Sequence, residues 1–154
     1  MSVINRGFCG LAMQCASGEL DYYGTTTALR ISRSELSATA VGDYALFGGG
    51  ISAGNDTTYL YVDAYNQNLT RLTPSNLQVR RHNLSATTIG DYAVFAGGQI
   101  GGEYDNPRSE VDAYNTSLVK TQPYGLPTSR YDLKATTVGN YALFGGGSGN
   151  GAAR

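Results

Sequence analysis

A chain of 154 residues is long enough to bury a core and short enough for one domain. Its 11 basic and 12 acidic side chains give a formal charge of −1, so it has no positive field to hold a nucleic-acid backbone. Glycine takes 21 positions and charged residues only 15%, under the roughly 25% of an average domain, and no apolar run reaches the roughly 18 residues of a membrane-spanning helix.

Self-similarity governs the rest of the reading. LSATAVGDYALFGGG from Leu36, LSATTIGDYAVFAGG from Leu84 and LKATTVGNYALFGGG from Leu133 start 48 and 49 residues apart, and VDAYN begins at Val62 and again at Val111. An arginine stands just before each unit: Arg33, Arg81 and Arg130. In chain order, residues 1–35 align with the end of a later unit in two ways. An offset of 48 gives a third strand near Leu11–Ala16, a turn at 17–19 and a fourth strand near Leu20–Thr25. The other alignment places Glu19-Leu20-Asp21 on Glu110-Val111-Asp112, with a deletion of six residues.

Residues 36–83 make the first full unit. LSATAVG alternates and is rich in small and β-branched residues, which predicts a first strand. Gly42-Asp43 is two-residue hairpin chemistry, and Tyr44–Phe47 is a continuous apolar strand suited to a sheet covered on both faces. The glycines at 48–50 leave room for close backbone approach. A third strand over Tyr59–Tyr65, a turn at Asn66–Asn68 and a fourth strand near Leu69–Thr73 follow. Residues 84–132 repeat this plan, with a third strand at Glu110–Tyr114, a turn at Asn115–Ser117 and a fourth strand at Leu118–Gln122. Residues 133–154 carry only the first two strands, and no window shows helical periodicity.

Four short strands per unit, units of about 48 residues and apolar sheet faces describe a blade of a β-propeller. The chain resembles the kelch repeat: a Gly pair after the second strand (Gly48–Gly49, Gly97–Gly98, Gly145–Gly146), a Tyr in the third (Tyr65, Tyr114) and an Arg ahead of the first. The family's Trp on the fourth strand is absent, and Leu72 and Val119 stand in its place. The near-identical repeats also resemble those of bacterial and bacteriophage-associated proteins. The resemblance implies an all-β, kelch-like β-propeller with about three four-stranded blade equivalents in one domain: 1–35 as outer strands of a split blade, 36–83 and 84–132 as blades, and 133–154 as inner strands. Three blades fall short of the usual range of about four to eight, so the expected ring is a six-bladed homodimer closed by strand exchange between terminal half-blades.

Catalytic chemistry is sparse. His82 is the single histidine, in a repeat slot shared with Ser34 and Tyr131, and reads as a tolerant surface position. Cys9 and Cys15 lack the further ligands of a zinc site and read as free thiols. No cofactor or metal is expected. The recurring Arg33, Arg81 and Arg130 suit either of two roles: forked recognition of a carboxylate, phosphate or acidic peptide, or hydrogen bonding to backbone carbonyls between blades. The loops Ile51–Thr58 and Gln99–Ser109 vary most between repeats, and the second carries Glu103, Tyr104, Asp105 and Arg108 as further candidate ligand-binding residues. Tyr44, Tyr92, Tyr141, Tyr65 and Tyr114 are expected mainly to pack between blades.

The expected function is a non-enzymatic binding or assembly module, homodimeric, recognising a protein, acidic peptide or glycan through loops and channel mouth. Nucleic acid and membrane are not expected partners. The alternatives are a sugar isomerase or epimerase of kelch type, and a propeller fragment with assembly as its only property. The N-terminus MSVINRGFCG lacks the basic and apolar regions of a signal peptide, which points to a cytoplasmic or virion-associated location.

Overall fold

The computed structural model describes residues 11–16, 19–54, 56–101 and 106–149, with side chains from residue 24 onward. The described residues hold fourteen strands and no helix, arranged as several small antiparallel sheets. Strands β1 (Leu11–Ala16) and β2 (Glu19–Thr25) pair as a hairpin. Strands β3 (Ser37–Val41), β4 (Tyr44–Gly48), β5 (Val62–Tyr65) and β6 (Arg71–Leu72) form a four-stranded meander.

The next unit builds a second meander from β7 (Ser85–Ile89), β8 (Tyr92–Ala96), β11 (Val111–Asn115) and β12 (Lys120–Thr121). Between β8 and β11 lies a short ribbon of β9 (Gln99–Ile100) and β10 (Asn106–Pro107). The last described hairpin is β13 (Lys134–Val138) with β14 (Tyr141–Gly145). It stands as a separate two-stranded sheet from β1–β2.

Turn chemistry fixes these registers. The first hairpin of each unit turns through Gly42, Gly90 and Gly139, at φ of 52°, 50° and 53°, a conformation that glycine adopts without a Cβ clash. The second turn is set by an asparagine. Asn66 Oδ1 accepts from the backbone N–H of Asn68 and Thr70 at 3.1 and 3.0 Å, and Asn115 Oδ1 accepts from Ser117 and Val119 at 3.0 and 2.9 Å. The side chain thus imitates a backbone turn while Leu69 and Leu118 take positive φ.

Units stack through their faces and inner strands. One buried cluster joins Val41, Leu46, Val62 and Ala64 of the first sheet to Leu84, Ala93, Phe95 and Tyr114 of the second. Another joins Val94, Ala96, Val111 and Ala113 to Phe144 and Leu126. Both faces of β8 are therefore covered, as the unbroken apolar run anticipates. The outer face of the last hairpin is not: Val138 is 59% and Leu143 50% exposed, whereas their repeat partners Val41 and Leu46 are 2% and 0%. Between neighbouring inner strands, threonine hydroxyls pair directly, Thr39 with Thr88 and Thr87 with Thr137, each at 2.8 Å.

Candidate functional site

The arginine ahead of each unit is held by its own unit's strands. Arg33 donates through Nε to the Gly49 carbonyl at 2.6 Å and through Nη2 to the Phe47 carbonyl at 3.2 Å. Its Nη1 lies 2.9 Å from Asp63 Oδ2, and both side chains are fully buried. Arg81 repeats the design, with Nη2 2.8 Å from Asp112 Oδ2 and 3.3 Å from the Phe95 carbonyl. The aspartate is the second residue of each VDAY strand, which places it in the sheet interior rather than in a loop or turn.

Each aspartate collects further donors. Asp112 accepts from the Gln78 backbone N–H and lies 3.6 Å from Lys120 Nζ. Asp63 lies 3.6 Å from Arg30 and 4.0 Å from Arg71. The tyrosine two residues on completes the motif: Tyr65 donates to the Thr27 carbonyl at 2.7 Å and Tyr114 to the Ser75 carbonyl at 2.8 Å. Their rings meet Phe47 and Phe95 edge-on. Burial, reinforced by the adjacent aspartate charge, raises both phenol pKa values above the ordinary tyrosine range.

Arg33 and Arg81 consequently do not form an open ring of guanidinium groups. Their side chains are consumed by carbonyls and carboxylates inside the protein, on the strands of the unit that each arginine precedes. What ties units together is the arginine backbone: the carbonyls of Arg81 and Arg130 accept from Gly50 and Gly98 of the preceding unit at 2.9 and 2.8 Å. Arg130 differs. Its side chain bonds the Gly146 carbonyl and Thr128 Oγ1 and is only half-buried, with no aspartate beside it among the described residues.

The variable loops do meet. Gly101 N donates to Thr58 Oγ1 at 2.9 Å, so the loop after β8 touches the loop after β4 of the neighbouring unit. Asp56, Thr57, Thr58, Arg80 and Gly101 line a cleft of about 280 Å³ there. Of the loop candidates, Arg108 forms a fork with Glu110, through Nη2 to Oε1 and through Nε to Oε2 at 3.0 Å. Burial pulls the Glu110 carboxyl upward, but the Arg108 bonds outweigh it and hold it below the usual range. Glu103, Tyr104 and Asp105 lie outside the described residues. Thr58 belongs to one of the variable loops and Arg80 stands beside Arg81 in the sequence, but only the meeting of two distant loops brings them together.

Two further expectations are corrected. His82 is buried rather than on the surface, and its backbone forms a β-bridge with Gln99. Its Nε2 lies 3.2 Å from Gln99 Nε2 and 3.6 Å from Glu35 Oε2. Of the second-strand tyrosines, Tyr92 and Tyr141 are exposed while Tyr44 is half-buried and packs against the core, and the third-strand pair, Tyr65 and Tyr114, is buried. Among the described residues no three His, Cys, Asp or Glu side chains gather as a metal site, and no helix is long and apolar enough to cross a membrane. Cys9 lies outside the described residues, as does the side chain of Cys15.

No protein-family model matches the chain, and no curated protein matches it either.

Proposed function

We propose that this chain is half of a kelch-like β-propeller, a homodimeric, non-catalytic binding module that takes a protein, peptide or glycan on its loop face. The observation that carries the reading is the junction of the two most variable loops at Gly101 and Thr58, beside the exposed guanidinium of Arg80. Variable loops held on rigid, near-identical sheets are the usual arrangement of a recognition surface. Support for the propeller comes from the covered middle unit, the side-by-side inner strands and the repeated backbone ties between units. The cleft offers a cation, a carboxylate and two hydroxyls, a set that suits carboxylate-bearing peptides and acidic sugars.

The test is retention of the labelled protein on printed arrays of acidic peptides and sialylated or uronate-containing glycans, beside Arg80→Ala. Arg80 is exposed, so its removal should leave melting unchanged while cutting retention at least tenfold. Absence of retention on both arrays, or equal retention by the variant, overturns the reading.

A further inference from the structure

We infer that the first sheet of a second copy packs on the outer face of the last hairpin, seating its Phe47 on Gly145 and its Leu36 on Gly146. The inference rests on the half-propeller reading and names the joint that closes it.

Within the chain the joint between units is made twice, from the same parts. A Cβ on Gly48 would lie 2.8 Å from the Phe95 ring, and one on Gly49 would lie 2.9 Å from Leu84, so the next unit's phenylalanine and leucine sit directly on these glycines. Gly97 holds Leu133 in the same way, and Ala96, which stands in the slot of Gly48, packs with Phe144. Backbone bonds lock the fit: Gly50 and Gly98 donate to the carbonyls of Arg81 and Arg130, and Asn83 and Asp132 donate to those of Glu35 and Asn83.

The last hairpin carries the receiving half of this joint with its seats open. A Cβ on Gly145 or on Gly146 would meet nothing within 4 Å. Strand β14 repeats the sequence of β4, Tyr-Ala-Leu-Phe-Gly, so the face it presents is built from the same side chains that the first sheet buries. Among the described residues the Gly147 amide, counterpart of Gly50 and Gly98, meets no carbonyl.

The inserting half stands at the other end of the same chain. Leu36 and Phe47 are the counterparts of the buried Leu84 and Phe95, yet both are only half-buried, and Ala45 is exposed where Ala93 is fully buried. The Arg33 carbonyl and the Glu35 amide also lack a backbone partner among the described residues. The inner joints then set the register of the outer one: Gly147 donates to the second copy's Arg33 carbonyl, and the second copy's Glu35 donates to the Asp132 carbonyl. One contact of the inner joints is lost. Ala40 stands where Thr88 and Thr137 offer hydroxyls to the neighbouring unit, so Thr136 faces a methyl group across the outer joint. A head-to-tail joint made twice closes a ring of two chains.

The test uses the full chain, with dimer dissociation read by light scattering over a dilution series. Gly145→Gln should weaken the dimer at least about 30-fold, because the longer side chain overfills the Phe47 seat at both joints. Gly145 is exposed and outside the positive-φ region, so circular dichroism of the variant should match the wild type. Gly145→Ala is the control: Ala96 carries that methyl group in an inner joint, so dissociation should change by less than roughly threefold. A second arm, Ala40→Cys with Thr136→Cys in a Cys9→Ser, Cys15→Ser background, should yield a disulfide-linked species of twice 16.3 kDa, since the hydroxyls at the equivalent inner positions approach to 2.8 Å. The cysteine pair decides alone if Gly145→Gln fails to fold. A wild-type monomer at every concentration overturns both the joint and the half-propeller reading. A dimer indifferent to Gly145→Gln, or one that the cysteine pair does not trap, overturns the joint and leaves the half-propeller closed by another contact. Linked species larger than two chains overturn the two-chain ring.

Discussion

Replacing Asp112 with Asn removes one charge and almost no volume, which makes it a clean probe of the buried pairs. Asp112 and Arg81 are both wholly inaccessible, and the carboxylate serves Arg81 Nη2 at 2.8 Å, the Gln78 backbone N–H at 3.1 Å and Lys120 Nζ at 3.6 Å. Without it Arg81 keeps only the carbonyls of Phe95 at 3.3 Å and Val79 at 3.5 Å, both long contacts. Stranding one member of a buried pair costs about 3–5 kcal/mol. For a domain near this size each kcal/mol moves the melting midpoint by about 2–4 °C, so the expected loss is roughly 6–20 °C. Calorimetry at one fixed protein concentration measures it, because association would otherwise shift the midpoint. The double variant Arg81→Met/Asp112→Leu should lose less than Asp112→Asn alone, since it leaves no guanidinium stranded in the interior. A single-variant loss below about 1 kcal/mol, or a double-variant loss exceeding it, would show that Arg81 is solvated by its carbonyls rather than by its aspartate.

Glycine substitutions separate contact from conformation. Gly49→Ala puts a methyl group into the Arg81 carbonyl at φ 72° and should cost well over about 2 kcal/mol, whereas Gly90→Ala at φ 50° meets nothing and should cost about 1 kcal/mol; urea midpoints of the two decide. Tyr114 has a raised pKa, so the neutral phenol stabilises the fold fully below about pH 10 and the stability falls as pH rises beyond that. Tyr114→Phe should therefore flatten the alkaline limb of a pH–stability profile while costing about 1 kcal/mol at pH 7 through the lost bond to Ser75. The lowered Glu110 pKa acts in the other direction: its contribution is present above the usual carboxylate range and lost on acidification, and Arg108→Ala should shrink that acid-side loss in the same profile.

Local chemistry was the legible part. Gly42-Asp43 and Gly90-Asp91 carry their hairpins in two residues, and Asn66 and Asn115 carry theirs in one side chain, so strands fell close to where periodicity put them. The fourth strands came out shorter, two residues each, because the preceding Asx turn uses up their first positions. The ion pairs were only half legible. Arginine and VDAY were both visible as repeat marks, yet nothing local joins Arg33 to an aspartate thirty residues on; the signal was a nearly constant offset, 30 residues from Arg33 to Asp63 and 31 from Arg81 to Asp112. His82 was not legible as a buried residue because its repeat partners Ser34 and Tyr131 are unlike it and, though they make the matching bridges to Ile51 and Ser148, are exposed and half-buried. The cleft was illegible, since it needs two loops from different units at one point.

The threonine and glycine contacts between units have a consequence for how the chain is made. Thr39–Thr88 and Thr87–Thr137 are nearly the same joint, and so are the joints at Gly50 and Gly98. A folding chain has little to tell it which unit is its proper neighbour, and a unit from another molecule offers the same hydroxyls and carbonyls. Refolding at high concentration should therefore produce ladders of mispaired chains that dilute, slow refolding avoids. The uniformity that simplifies the architecture leaves the molecule without an address system for its own parts.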